Sequence, residues 1–112
     1  MVKTNQDTKA GAVIKVADLR LNPQTRKVTR AGKLISLTAK EYALLEFLMS
    51  HTGEVVTRTM ISEQVWNEDF DSFTNIIDVY IRYLRSKIDK GFSQPLLYTL
   101  RGTGYTLSKT PP

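Results

Sequence analysis

Residues 74–88, TNIIDVYIRYLRSKI, carry two chemistries on one helical period. At about 100° per residue, Ile77, Ile81, Leu84 and Ile88 fall on one narrow apolar stripe, while Asn75, Val79, Arg82, Tyr83 and Ser86 gather on the opposite side. The first face is built for a core. The second combines amide, guanidinium and hydroxyl groups with one small apolar side chain. That set suits base edges, phosphates and a thymine methyl, as met by a helix lying in a DNA major groove. A surface helix whose polar side merely meets water would show the same stripe, so the flanking sequence has to decide.

Downstream, residues 97–100 and 105–107 read as two strands joined by RGTG, where Gly102 and Gly104 permit positive φ in a tight hairpin. A basic hairpin directly after such a helix has the form of a wing. Upstream, NEDFDSF is a polar, acidic loop, with Ser72 or Thr74 as the expected N-cap of the two-faced helix. Before the loop, Thr57 is a candidate N-cap for a short second helix, in which Ile61 and Val65 stand one turn apart beside Met60 and Trp66. The start of the first helix is marked more strongly. Thr38 and Glu41 have capping-box spacing, and Leu37 with Tyr42 can form a hydrophobic staple. Leu44, Leu45, Leu48 and Met49 then make a wide apolar stripe, closed by Thr52-Gly53 in the manner of a glycine C-cap.

Residues 13–37 change period. VIKVADLRL, KVTRA and KLISL are strand-like pieces separated by turn signals at Asn22-Pro23 and Ala31-Gly32, which predicts a small antiparallel sheet. Residues 1–12 are polar and aperiodic and read as a linker or disordered tail, residues 109–112 as a second short tail, leaving one domain over 13–108. A chain of 112 residues with 41% hydrophobic content fits one domain around one core.

Composition excludes several classes of function. Cysteine is absent, so no disulfide framework, thiol nucleophile or Cys-ligated zinc site is available. The single histidine, His51, sits near a helix C-terminus, where a cation favours the helix dipole, and it has no second histidine with which to bind a metal. RGTGYT lacks the spacing of a phosphate-binding P-loop. No cofactor, metal or catalysed reaction is expected. No segment reaches the roughly 18 apolar residues of a membrane span, and the start MVKTNQDTK lacks the apolar centre of a signal peptide, so a soluble cytoplasmic protein is expected.

The net charge of +5 is unevenly spread. Residues 1–33 hold eight Lys/Arg against two Asp/Glu, residues 34–74 two against seven, and residues 75–112 six against two. An acidic middle between basic flanks suggests a positive side for a polyanion and a negative side turned away from it.

Three separated segments, LTAKEYALLEFLMSHTGEVVTR, FDSFTNIIDVYIRYLRSKID and LRGTGY, together resemble the C-terminal effector domain of OmpR/PhoB-family response regulators, over residues 13–108. The resemblance implies an α+β winged helix-turn-helix: an N-terminal four-stranded antiparallel sheet, three helices and a C-terminal β-hairpin wing. It implies sequence-specific double-stranded DNA binding in two-component transcription control, with the third helix in the major groove and the wing in the minor groove. Carried onto this chain, the groove roles fall on Asn75, Val79, Arg82, Tyr83 and Ser86, and the wing role on Arg101. Positions that meet phosphates or flank the contact fall on Trp66, Tyr80, Lys87, Thr99, Thr103 and Tyr105. Tyr83 departs from many relatives, which have Arg there, so a bidentate guanine contact is not expected from that position. Phe73, in a slot that is often polar, is expected to pack under the loop.

The loop residues Glu68, Asp69 and Asp71 take the role of touching RNA polymerase, with plain solvation as the alternative. The family also implies a receiver domain and a sensor kinase upstream, and pairing on direct repeats about one helical turn apart. The chain is expected to be an excised domain without a phosphoacceptor of its own. Arg85 lies near the edge of the core, where an internal ion pair and a phosphate contact are both open. Trp66 is expected to be buried, with its indole N–H able to reach a phosphate. Two rivals remain at this point. One is a winged helix that docks another protein through the same face, and the other is a small enzyme or metal sensor.

Overall fold

The computed structural model describes residues 12–67 and 75–112. Strands β1 (Ile14–Val16), β2 (Leu19–Asn22), β3 (Lys27–Arg30) and β4 (Lys33–Ile35) form an antiparallel four-stranded sheet in that order. VIKVADLRL is therefore two strands, reversed at Ala17, whose φ is 54°. The Asn22 side chain holds the next turn by accepting the Gln24 N–H at 3.0 Å. Val16, Leu19, Leu21 and Val28 point to the core, as a period of two requires.

Helix α1 (Ala39–Ser50) begins as its capping box predicts. Thr38 Oγ1 accepts the Glu41 N–H, and Glu41 Oε1 accepts the Thr38 N–H at 2.9 Å. Tyr42, Leu44, Leu45, Leu48 and Met49 are buried, with Leu37 packed against the same core. The helix stops at Ser50, and Gly53 follows at φ 80°. His51 Nδ1 donates to the Phe47 carbonyl at 2.9 Å, so the lone histidine serves the helix end.

Thr57 caps α2 (Arg58–Ile61), which continues as a π-helical turn (Ser62–Trp66) and ends on Asn67 at φ 57°. Helix α3 (Ile76–Ile88) starts behind Asn75, whose side chain makes no capping bond. Ser72 and Thr74, the expected caps, lie outside the described residues, as do Glu68, Asp69, Asp71 and Phe73. The predicted stripe is the buried one: Ile77, Ile81, Leu84 and Ile88 are each at most 3% exposed, a burial worth about 1.5–3 kcal/mol per side chain.

The chain closes with β5 (Leu97–Leu100) and β6 (Gly104–Leu107), paired in antiparallel register. Val56 joins as a third rung, exchanging backbone hydrogen bonds with Tyr105 at 2.8 and 2.9 Å. Gly102, at φ 73°, supplies the left-handed turn expected of it. The requirement at Gly104 is space. A Cβ there would lie 2.1 Å from the Val56 carbonyl oxygen, so any side chain would push the Val56 segment off the hairpin. Beyond β6, the Ser108 N–H still bonds the Leu96 carbonyl, and the Gln94 amide donates to the carbonyl of Lys109, the first residue of the expected tail.

Two non-local polar contacts tie these parts together. Arg30, at the end of β3, is 1% exposed. Its Nε donates to Asp18 at 2.6 Å, Nη1 to Asp89 at 3.2 Å and to the Ile88 carbonyl, and Nη2 to the Gln94 carbonyl, while Phe92 lies under its guanidinium. Asp89 in turn accepts the N–H groups of Leu96 and Leu97. The second contact joins α1 to α3: Lys87 Nζ donates to Glu41 Oε1 at 2.6 Å.

Removing one member of a buried hydrogen-bonded ion pair strands its partners. Arg30→Met is expected to lower unfolding free energy by about 3–5 kcal/mol, read as a reduced urea midpoint at unchanged m-value. Burial raises the Glu41 carboxyl, but Lys87 and the Thr38 cap outweigh it and hold the group below its ordinary 4.5. Its stabilisation is therefore complete above pH 4.5 and is lost as pH falls through the lower folded value. Glu41→Gln keeps the cap but cannot titrate, so urea midpoints measured between pH 7 and pH 3 should fall less steeply than in the parent chain.

Candidate nucleic-acid interface

The outward face of α3 presents Asn75 at its start, then Val79, Arg82, Tyr83 and Ser86. Asn75, Arg82, Tyr83 and Ser86 are exposed and Val79 is half-buried. Ser86 Oγ donates to the Tyr83 carbonyl at 2.7 Å, leaving its lone pairs outward. Tyr83 is 46% exposed and packs edge-on against Tyr80, with ring centroids 5.5 Å apart. Tyr80 meets Trp66 the same way at 5.2 Å, and Lys40 Nζ lies over the Trp66 ring. Trp66 is half-buried as a result, the end of an aromatic ladder running from α2 to the exposed side of α3.

Between the first turn of α2, the side of α3 and the β5–β6 hairpin lies a groove of about 650 Å³, lined by Arg58, Arg82, Arg85 and Arg101. The four guanidinium groups are not equivalent. Arg82 on α3 and Arg101 at the hairpin tip are exposed and form no ion pair with a described residue. Arg85 is turned inward, its Nη2 donating to Thr99 Oγ1 at 2.7 Å and its Nε to the Leu97 carbonyl at 3.3 Å. Of the two options left open for Arg85, an internal contact is made, with hydroxyl and carbonyl rather than an acid. Arg58 Nη2 stands 3.5 Å from Asp78 Oδ2.

Several residues assigned by sequence to the contact surface have internal partners. Lys87 is engaged by Glu41, and Thr99 by Arg85. Thr103 is exposed, and its N–H closes the hairpin turn on the Leu100 carbonyl. Tyr105 is only 6% exposed, with its hydroxyl donated to Asp78. Burial and then that carboxylate push the phenol up to about 12, so it stays protonated and holds the hairpin to α3. Sequence reasoning missed Arg58 and Asp78. The available signals were positional: Arg58 follows the Thr57 cap directly, and Asp78 lies in the first turn of α3, where an acid suits the dipole.

Charge counting also needs a correction. Arg30 counted toward the basic N-terminal segment, but it is buried and neutralised by Asp18 and Asp89. Among the described residues no group of three or more potential metal ligands is assembled, and no helix is long and apolar enough to cross a membrane.

Residues 32–107 match the family described as transcriptional regulatory protein, C terminal. The chain is 52% identical over 100 residues to the transcriptional regulatory protein PcoR of Escherichia coli, covering 89% of this chain and 44% of PcoR. It is 53% identical over 92 residues to CusR of E. coli K12, covering 82% of this chain and 40% of CusR. The chain thus spans less than half the length of these relatives. The crystal structure of the DNA binding domain of CpxR from E. coli superposes with a TM-score of 0.78 at 35% identity, covering 88% of this chain and 98% of that domain. With that fold and that match over most of its length, the chain belongs to the C-terminal domains of transcriptional regulatory proteins, the effector domains of OmpR/PhoB-type response regulators.

Proposed function

We propose that this domain binds double-stranded DNA at specific sites as the effector end of a two-component response regulator and thereby controls transcription. The observation that carries the reading is the pair Arg82 and Arg101. They come from α3 and the hairpin tip, line one groove, and form no ion pair with a described residue. A helix with such a face fits the major groove, and a lone arginine on a hairpin tip fits the narrow, electronegative minor groove of A/T-rich DNA. Asn75, Val79, Arg82, Tyr83 and Ser86 meet base edges and nearby phosphates in this reading, with Tyr80, Lys87, Thr99, Thr103, Tyr105 and Trp66 supporting or flanking them.

The binding domain spans residues 13–108, with linker before it. A receiver domain on the N-terminal side, phosphorylated by a sensor kinase, completes the regulator, and two copies sit head to tail on direct repeats. The acidic residues Glu68, Asp69 and Asp71 offer a surface to RNA polymerase. The work is done in the cytoplasm, where the DNA is.

Binding to a randomised duplex pool over a salt series, with sequencing of the retained DNA, tests the reading. Enrichment of a repeated motif is expected. With about five phosphates neutralised, log K should fall against log salt with a slope of roughly −4 to −5. Arg101→Ala should lose about 1–3 kcal/mol of binding at matched salt. Arg82→Ala should weaken binding and leave thermal unfolding unchanged. Salt-sensitive retention without enrichment would reduce the role to nonspecific binding. No retention at all would favour a winged helix that docks protein.

A further inference from the structure

The aromatic ladder ends at the side chain that departs most from the polar chemistry around it. Tyr83 is a large, 46% exposed ring in the middle of the outward face of α3, between Arg82 and Ser86. Exposure of this kind usually leaves a side chain free to rotate, but Tyr83 is braced edge-on by Tyr80, which is braced by Trp66. A tyrosine has two side-chain torsions, and packing on one flank leaves little conformational freedom to lose when the other flank makes a contact. The ladder thus presents a rigid phenol on the helix face that the DNA reading turns toward the groove.

We propose that Tyr83 is a specificity-determining residue that selects thymine at one position of the bound site; the inference rests on the DNA-binding reading above. Thymine alone displays an apolar group, the C5 methyl, on the major-groove edge, next to the O4 acceptor. The ring edge of a tyrosine offers apolar contact to that methyl, and its hydroxyl can donate to O4. The bidentate guanine pattern needs two parallel donors, which one hydroxyl cannot supply. Asn75, Arg82 and Ser86 on the same face are polar, and Val79 is half-buried, so Tyr83 is the exposed side chain suited to a methyl.

The test compares the sequence profiles retained by the parent chain, Tyr83→Ala and Tyr83→Arg from the same randomised pool. Affinities are then measured on the parent's best site with the implicated thymine replaced by uracil, which removes only the methyl. The parent should show one thymine position that loses its preference in Tyr83→Ala and shifts toward guanine in Tyr83→Arg. Loss of one methyl contact should weaken the parent on the uracil site by about fourfold and leave Tyr83→Ala unaffected. The salt slope of Tyr83→Ala should match the parent, because the ring is uncharged, and the variant should still unfold in one cooperative transition, because the ring packs along one flank only, on Tyr80. An enriched motif whose profile is the same in Tyr83→Ala, or an equal uracil effect in both proteins, would overturn the role of Tyr83 and leave DNA recognition intact. A parent pool without any motif would overturn the DNA-recognition reading and this inference with it.

Discussion

The junction where α3 ends and β5 begins is held by a guanidinium buried in the N-terminal sheet, and the geometry of the reading surface follows from it. Arg30 binds the Ile88 carbonyl at the last turn of α3, the Asp89 carboxylate just after it, and the Gln94 carbonyl before β5. Asp89 then fixes the first two amides of the returning chain. A planar group with several fixed donors suits this task, since it can face a carboxylate and two carbonyls at once. The angle between the helix and the hairpin is thereby set from behind, by a residue far from both in sequence. Arg85 adds a closer brace across the same corner, from the side of α3 to β5.

This arrangement divides the cations of the C-terminal half by role. Arg85 and Lys87 spend their donors on internal partners and fix α3 against the hairpin and against α1. Tyr105 and Asp78 close the opposite side of the groove, with Arg58 beside them. Arg82 and Arg101 stand outside these pairings, on two elements whose separation the inner contacts determine. A polyanion that reaches both must therefore match a preset spacing, which is how rigid positioning turns general electrostatic attraction into selectivity.

Legibility in the sequence tracked locality. The capping box of Thr38 and Glu41 and the stripe of Ile77, Ile81, Leu84 and Ile88 depend on neighbours within one or two turns, and both are found where the spacing put them. The hairpin followed from the glycines, although Gly104 is needed for the approach of Val56, a contact made across 48 positions of chain. Arg30 was the hardest to read. Alternation in β3 places it on the same face as Val28, so the signal for burial was present, but an arginine in a short strand is ordinarily a surface residue. Apart from Asp18, its hydrogen-bond partners lie 58 to 64 residues away, beyond any local pattern. Lys87 looked like a phosphate ligand for the same reason: its acid is on another helix. The π-helical turn and Asn67 at the end of α2 left no mark that periodicity could detect.

Backbone and side-chain resonance changes on titrating the domain with its selected duplex would test the account most directly. The largest changes are expected at Val79, Arg82, Tyr83 and Ser86 on α3 and at Arg101 to Thr103 on the hairpin tip, with the sheet through β1 to β4 nearly silent. Changes concentrated on the exposed Lys15, Arg20 and Lys27 of that sheet, with α3 undisturbed, would contradict it and place the polyanion on the opposite element of the fold.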